Sequence, residues 1–133
     1  MDLIAVLKSE HKIILKILGV IDALAKENKS VLSEAIKLEK VLAIHLKKED
    51  GMIYPVFNGS KEEKLKKLGR LFSEQMKTYA VEIADCLSEI KKAKGNLDSD
   101  LSARFEKSSS RIFSRVSIEE TILFPAYVKY FSK

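Results

Sequence analysis

Four stretches of this chain repeat apolar residues every three or four positions, and that period leaves little choice of fold. Leu3, Val6, Leu7, Ile14, Leu15, Leu18, Ile21 and Leu24 line one face of a first helix, with lysines and acids between them. A second runs through Leu32, Ile36, Leu38, Val41, Leu42 and Ile44 towards Met52-Ile53-Tyr54-Pro55. Pro55 lacks a backbone donor and is expected to kink or end that helix. A third spans about Lys61 to Lys94, and a fourth about Leu101 to Tyr130, interrupted near its end by Pro125. Ser30 (with Glu34 nearby), Ser60 (with Glu63 at the capping-box position) and Asp98 or Ser99 are the expected N-caps of the second, third and fourth helices. With only 5 Gly and 2 Pro, the chain cannot make the many tight turns of a sandwich or barrel. Four long helices with short polar links fold most simply as an all-α, antiparallel, up-down-up-down bundle. A length of 133 residues suits one domain spanning residues 1–133.

Charge and cysteine content narrow the partners. The net charge of +5 is diluted by 19 acidic residues, and no arginine cluster is interleaved with exposed aromatics, so no nucleic-acid partner is expected. No apolar run approaches the ~20 residues that cross a bilayer, so no membrane partner is expected either. The start Met1-Asp2-Leu3-Ile4-Ala5 has no basic n-region, and the single Cys86 excludes a disulfide framework. Both favour the cytoplasm. Cys86 lies among apolar neighbours and is expected to be a buried, inert thiol. Runs such as Lys61-Glu62-Glu63-Lys64 and Lys91-Lys92 are expected to be solvated helix faces.

The chemistry lies in an internal repeat. His45-Leu-Lys-Lys-Glu49-Asp50-Gly-Met-Ile-Tyr54-Pro55 aligns with Arg115-Val-Ser-Ile-Glu119-Glu120-Thr-Ile-Leu-Phe124-Pro125, and Ser9-Glu10-His11 echoes Ser73-Glu74-Gln75. The chain therefore reads as two helical hairpins, the second a diverged copy of the first. Residues four apart share a helix face, so His45 with Glu49, and Arg115 with Glu119, aim at single points. His11 meets them if its helix runs antiparallel to the second. The register with Pro55 and Pro125 favours Glu49 and Glu119, rather than Asp50 and Glu120, as the inward acids. Tyr54 and Phe124 are expected to pack in the core at the bundle end. Imidazoles and carboxylates projecting from facing helices are how bundle-core iron and manganese sites are built.

With these residues the chain resembles the hemerythrin-like family, cation-binding four-helix bundles that usually carry a non-haem diiron centre. The likeness covers nearly the whole chain. It rests on His11, on His45-x-x-x-Glu49 running into Tyr54-Pro55, and on Glu119-Glu120 running into Leu123-Phe124-Pro125. It implies that His11 and His45 are terminal ligands of one iron, and that Glu49 and Glu119 are bridging carboxylates. The departures fall on the other iron. Gln75, Tyr79 and Arg115 stand where family members carry histidines, and the chain has only 2 His. Gln75 is either a neutral hydrogen-bonding replacement or a weak oxygen ligand. Tyr79 is either core or a ligand or hydrogen-bond donor. Arg115 can pair bidentately with a carboxylate and supply the charge of the missing cation.

Three functions follow. In the first, the protein binds one iron, or a lopsided pair, and through it dioxygen, nitric oxide or peroxide, or stores and delivers iron; zinc or manganese can substitute. In the second, it is a metal-free bundle serving as a structural or partner-binding module. In the third, His11 and His45 are axial ligands of a haem, at the cost of burying carboxylates beside it. No nucleophilic triad, phosphate loop or reductase motif is present, so no enzymatic activity is expected. The oligomeric state is not encoded in any recognisable pattern.

Overall fold

The periodic stretches all become helices in the structure, a computed structural model that describes residues 2–131. The elements are α1 (Leu3–Lys26), α2 (Leu32–Lys48), α3 (Tyr54–Asn58), α4 (Glu63–Lys92), α5 (Ser99–Ile118) and α6 (Phe124–Tyr130). One π-helical turn, Glu49–Ile53, joins α2 to α3, and a second, Glu119–Leu123, joins α5 to α6. No strand occurs among the described residues. The four long helices α1, α2, α4 and α5 form a bundle in which α1 packs on α2 and α5, and α4 on α2 and α5. None of the described helices is long and apolar enough to cross a membrane.

Capping differs in part from expectation. Asp98 does cap α5, accepting a hydrogen bond from the Leu101 N–H at 2.7 Å. Ser30 and Ser60 stand outside the caps: Val31 is the N-cap of α2 and Glu62 that of α4. Each serine instead accepts from the N–H two residues on, Leu32 and Glu62, in a local side-chain turn. Ser30 also donates to the Lys94 carbonyl, and the Val31 N–H donates to the Gly95 carbonyl at 3.0 Å. The α1–α2 and α4–α5 connections are thus tied together at one end of the bundle. Gly95 has φ +83°, and a Cβ there would lie 2.4 Å from the Leu32 nitrogen, so only glycine fits.

The prolines do not simply stop their helices. The Tyr54 N–H reaches the Glu49 carbonyl, and the Phe124 N–H reaches the Glu119 carbonyl, each five residues back. This wide turn places Pro55 and Pro125 in the first turn of a new α segment, where no N–H is required. The new segment α3 lies tight against α4. A Cβ at Gly69 would come within 2.4 Å of the Phe57 Cβ, so the close approach depends on that glycine.

The core divides into two apolar clusters. One holds Ile14, Leu18, Ile21, Leu38, Leu42, Ile83, Leu87, Ile112 and Val116, among others. The other gathers Ile4, Leu7, Ile53, Tyr54, Phe57, Phe72, Leu123 and Phe124 at the proline end. On α1, α2, α5 and the two π turns the positions between the clusters are polar, and five of them are buried: His11, His45, Glu49, Arg115 and Glu119. Cys86 is buried in the first cluster, and burial pushes its thiol up.

Candidate metal centre

Each polar residue of this layer occupies a position that an amphipathic helix would give to an apolar side chain. His11 follows Leu7 and precedes Ile14 on the buried face of α1. His45 takes the next inward position after Leu42 on α2, and Glu49 opens the π turn one helical turn later. Arg115 and Glu119 repeat that geometry on α5 and its π turn. His11, His45, Glu49 and Glu119 converge, each offering one ligand atom, with all four atoms within 4.8 Å of one another.

The two imidazoles are held from outside by carboxylates. His11 Nδ1 lies 2.7 Å from Glu120 Oε2, and His45 Nδ1 lies 2.9 Å from Glu10 Oε1. An ionised carboxylate only accepts, so each Nδ1 donates and each Nε2 is turned inward. Glu10 is itself paired with Lys48. Burial alone would raise the Glu10 carboxyl, but Lys48 and His45 hold it below the usual carboxylate range. Carboxylate–imidazole pairs of this kind fix ring orientation in metal sites. Phe124 stacks on His11 with 5.4 Å between ring centroids, locking the ring further.

The interior atoms are poorly matched to one another. His11 Nε2 lies 3.1 Å from His45 Nε2 and 3.0 Å from Glu119 Oε1. Two imidazole lone pairs cannot face each other at that distance unless a cation lies between them. In the metal-free protein that cation is a proton. Burial works against a charged His11, but Glu119 and Glu120 outweigh it and raise its pKa above the ordinary 6.5. Glu49 is fully buried at 0% exposure, and neither of its carboxylate oxygens has a hydrogen-bond partner. Burial, then the Glu119 carboxylate beside it, pushes Glu49 well above the usual carboxylate range. Glu119 is shifted downwards: burial opposes its charge, but hydrogen bonds from His11 and His45 and the charge of Arg115 prevail.

This donor set fits one cation. A first-row cation bonded at ~2.1 Å holds neighbouring donors ~3 Å apart; His11 lies 3.1 Å from His45 and 3.0 Å from Glu119, while His45 lies 3.5 Å from Glu49 and 3.9 Å from Glu119. Beside these atoms lies a cavity of about 20 Å³, lined also by Tyr79 and Arg115 and large enough for one water-sized molecule. The haem expectation fails here on geometry. The two imidazole nitrogens touch each other, and no slot for a macrocycle separates them.

The other half of the layer belongs to Arg115. Its Nε donates to Glu119 Oε2 at 3.1 Å, its Nη1 to Gln75 Oε1 at 3.1 Å, and its Nη2 to Tyr54 Oη at 3.0 Å and to the Phe72 carbonyl at 2.5 Å. The guanidinium also lies over the Phe72 ring, 4.4 Å from its centroid. The expected bidentate grip on a carboxylate does not form, because the fork is shared among four acceptors from three chain segments. Gln75 is an exposed hydrogen-bond acceptor for Arg115. Tyr79 is half-buried on the cavity wall, its ring beneath Arg111. Tyr54, expected to be plain core, is buried and also turns its hydroxyl to Arg115; burial, with Glu49 and Glu119 nearby, pushes that phenol far above its ordinary value.

The repeat located the four inward residues. It did not reveal Glu10 and Glu120 as the outer carboxylates, because each neighbours a ligand in sequence and looks like a surface charge. The only available signal was the doubling of acids, Glu119-Glu120, and of polar residues, Glu10-His11.

A helical bundle enclosing a mixed imidazole–carboxylate cluster between two apolar layers defines a class of cation-binding proteins. Residues 2–127 match the hemerythrin HHE cation binding domain, and the chain belongs to that family. Searches of curated proteins and of solved structures found no match.

Proposed function

We propose that this protein is a hemerythrin-like iron-binding protein with one iron per chain, held by His11, His45, Glu49 and Glu119. The observation that carries the proposal is Glu49: a carboxylate fully buried with both oxygens unpartnered, beside two imidazoles whose Nε2 atoms are aimed inward. Leaving such a group unsatisfied costs stability, and a cation removes the cost. Iron bound there supplies the capacity to bind a small ligand reversibly, and the 20 Å³ cavity favours dioxygen, nitric oxide or peroxide over anything larger. Glu10 and Glu120 orient the imidazoles, Phe124 and the two apolar clusters exclude bulk water, and among the described residues none is arranged as a nucleophile. Binding or sensing is therefore proposed in place of turnover.

An up-down-up-down order of α1, α2, α4 and α5 belongs to the same proposal. It is supported by the tie between the α1–α2 and α4–α5 connections at one end of the bundle. A cytoplasmic location is supported by the single buried thiol. Elemental analysis with an absorption spectrum tests the function. Iron is expected near one per chain, and His45→Ala is expected to lose most of it. A wild-type protein that takes up no iron, zinc or manganese after reconstitution refutes the proposal.

A further inference from the structure

We infer that the guanidinium of Arg115 is a resident cation, filling the half of the buried centre where a second metal ion would otherwise sit. The inference rests on the proposal that His11, His45, Glu49 and Glu119 bind a cation, and adds what occupies the other side.

The internal repeat places the two halves in register. His45 and Arg115 each stand four residues before a buried glutamate that opens a π turn, and each is only 4% exposed. Glu119 lies between the halves: Oε1 faces His11 at 3.0 Å, and Oε2 faces Arg115 at 3.1 Å. The aromatic of each repeat covers the opposite half. Phe124 stacks on His11, while the Tyr54 hydroxyl accepts from Arg115. Arg115 thus stands where the first copy has a metal-ligating imidazole, and directs positive charge at the same shared carboxylate.

The surroundings of the two halves differ accordingly. Each imidazole is backed by an outer carboxylate, Glu10 or Glu120, as a ligand requires. The aligned acids of the other half, Glu74 and Asp50, are exposed. In their place Arg115 finds neutral acceptors, Gln75, Tyr54 and the Phe72 carbonyl, with an aromatic face below. Those groups suit a permanent monocation. They do not suit a second divalent ion, which would find one shared carboxylate pair, no imidazole and a repelling guanidinium.

Two measurements test this, and they separate its failure from that of the proposed function. Stoichiometry comes from equilibrium dialysis against zinc(II) and ferrous iron. Wild type is expected to bind about one ion, and Gln75→His combined with Arg115→His about two, since position 115 lies against Glu119 and position 75 against position 115. Wild type binding two ions as it stands overturns the inference. Thermal unfolding in chelator is the second measurement and needs no metal. Arg115→Gln is expected to lower the midpoint substantially, and Arg115→Lys, which keeps the charge, to lower it less. A midpoint for Arg115→Gln equal to wild type, or Arg115→Lys falling as far as Arg115→Gln, overturns it. If Arg115→Gln does not fold in chelator while Arg115→Lys does, the charge requirement is met. If wild type binds no ion but the unfolding results hold, the cation-binding proposal fails and Arg115 remains the resident charge.

Discussion

Replacing Glu49 with methionine should make the metal-free protein more stable while abolishing its response to metal. Glu49 has two carboxylate oxygens, both buried, neither with a hydrogen-bond partner. Removing a buried polar group left unsatisfied recovers ~1–3 kcal/mol, and methionine has similar length and fills irregular space without demanding partners. Burial and the Glu119 carboxylate both raise the Glu49 pKa, so both penalties fall on its charged form. Arg115 keeps Glu119, Gln75, Tyr54 and the Phe72 carbonyl. The repulsion between Glu49 and Glu119 disappears. For a chain of this length ~1 kcal/mol corresponds to roughly 3 °C, so Glu49→Met should unfold about 3–9 °C above wild type in chelator. Metal reverses the order. A ligand at a hundred times its dissociation constant stabilises by ~2.7 kcal/mol, which wild type should gain and Glu49→Met should not. Differential scanning calorimetry of both proteins, with chelator and with zinc(II), measures the crossing. A Glu49→Met midpoint at or below wild type in chelator, or an undiminished zinc shift, would refute the idea that Glu49 is kept for a cation.

Glu10→Gln should weaken metal binding ~10–100-fold with little change in fold, because an amide orients His45 less firmly than a carboxylate paired with Lys48; titration of zinc(II) against a competing chelator reads this, and an unchanged affinity counts against the orienting role. The metal-free protein should lose stability as pH rises above 4.5, and more steeply above 6.5, since Glu49 and His11 both have folded pKa values raised above these unfolded values, and such groups stabilise below their unfolded pKa and lose that contribution as pH rises through the folded value. Saturating metal, which replaces their protons, should flatten or reverse the trend; a chelated midpoint that rises over this range would show that the buried protons are absent.

How far the sequence discloses this centre depends on whether a residue's role is set by its own helix or by a neighbour. Helix periodicity is local, so all four long helices are legible from apolar spacing alone. The convergence of His45 with Glu49, and of Arg115 with Glu119, is legible too, because i, i+4 geometry is fixed by the helix. The partners of those residues are set by other helices. Glu10 reaches His45 across α1 and α2, and Glu120 reaches His11 from the far end of the chain. A surface acid and an orienting acid have the same local pattern, so neither could be singled out. Arg115 shows the same limit. Its inward position follows from the repeat, but whether the fork grips one carboxylate or spreads over four acceptors depends on Tyr54, Phe72 and Gln75, which belong to other segments. The displaced caps at Ser30 and Ser60 have a different origin, since each serine turns back on its own backbone before the helix starts.

The polar layer also explains why the chain carries two π turns that no capping or packing rule demands. A regular α-helix through Pro55 would set the ring against the carbonyl of Gly51 and break a hydrogen bond within the helix. The π turn moves the break one step along and lets the chain re-enter helix at Tyr54, so that Tyr54 can face Arg115 and Phe57 can dock against Gly69. The same device at Glu119–Leu123 brings Phe124 over His11. In both copies the glutamate that opens the π turn and the aromatic that closes it contribute to the centre, one as a central carboxylate and the other as a lid on the opposite half. The prolines therefore act on the site through register. They anchor where the helix restarts, and that restart decides which side chain covers the imidazole and which covers the guanidinium.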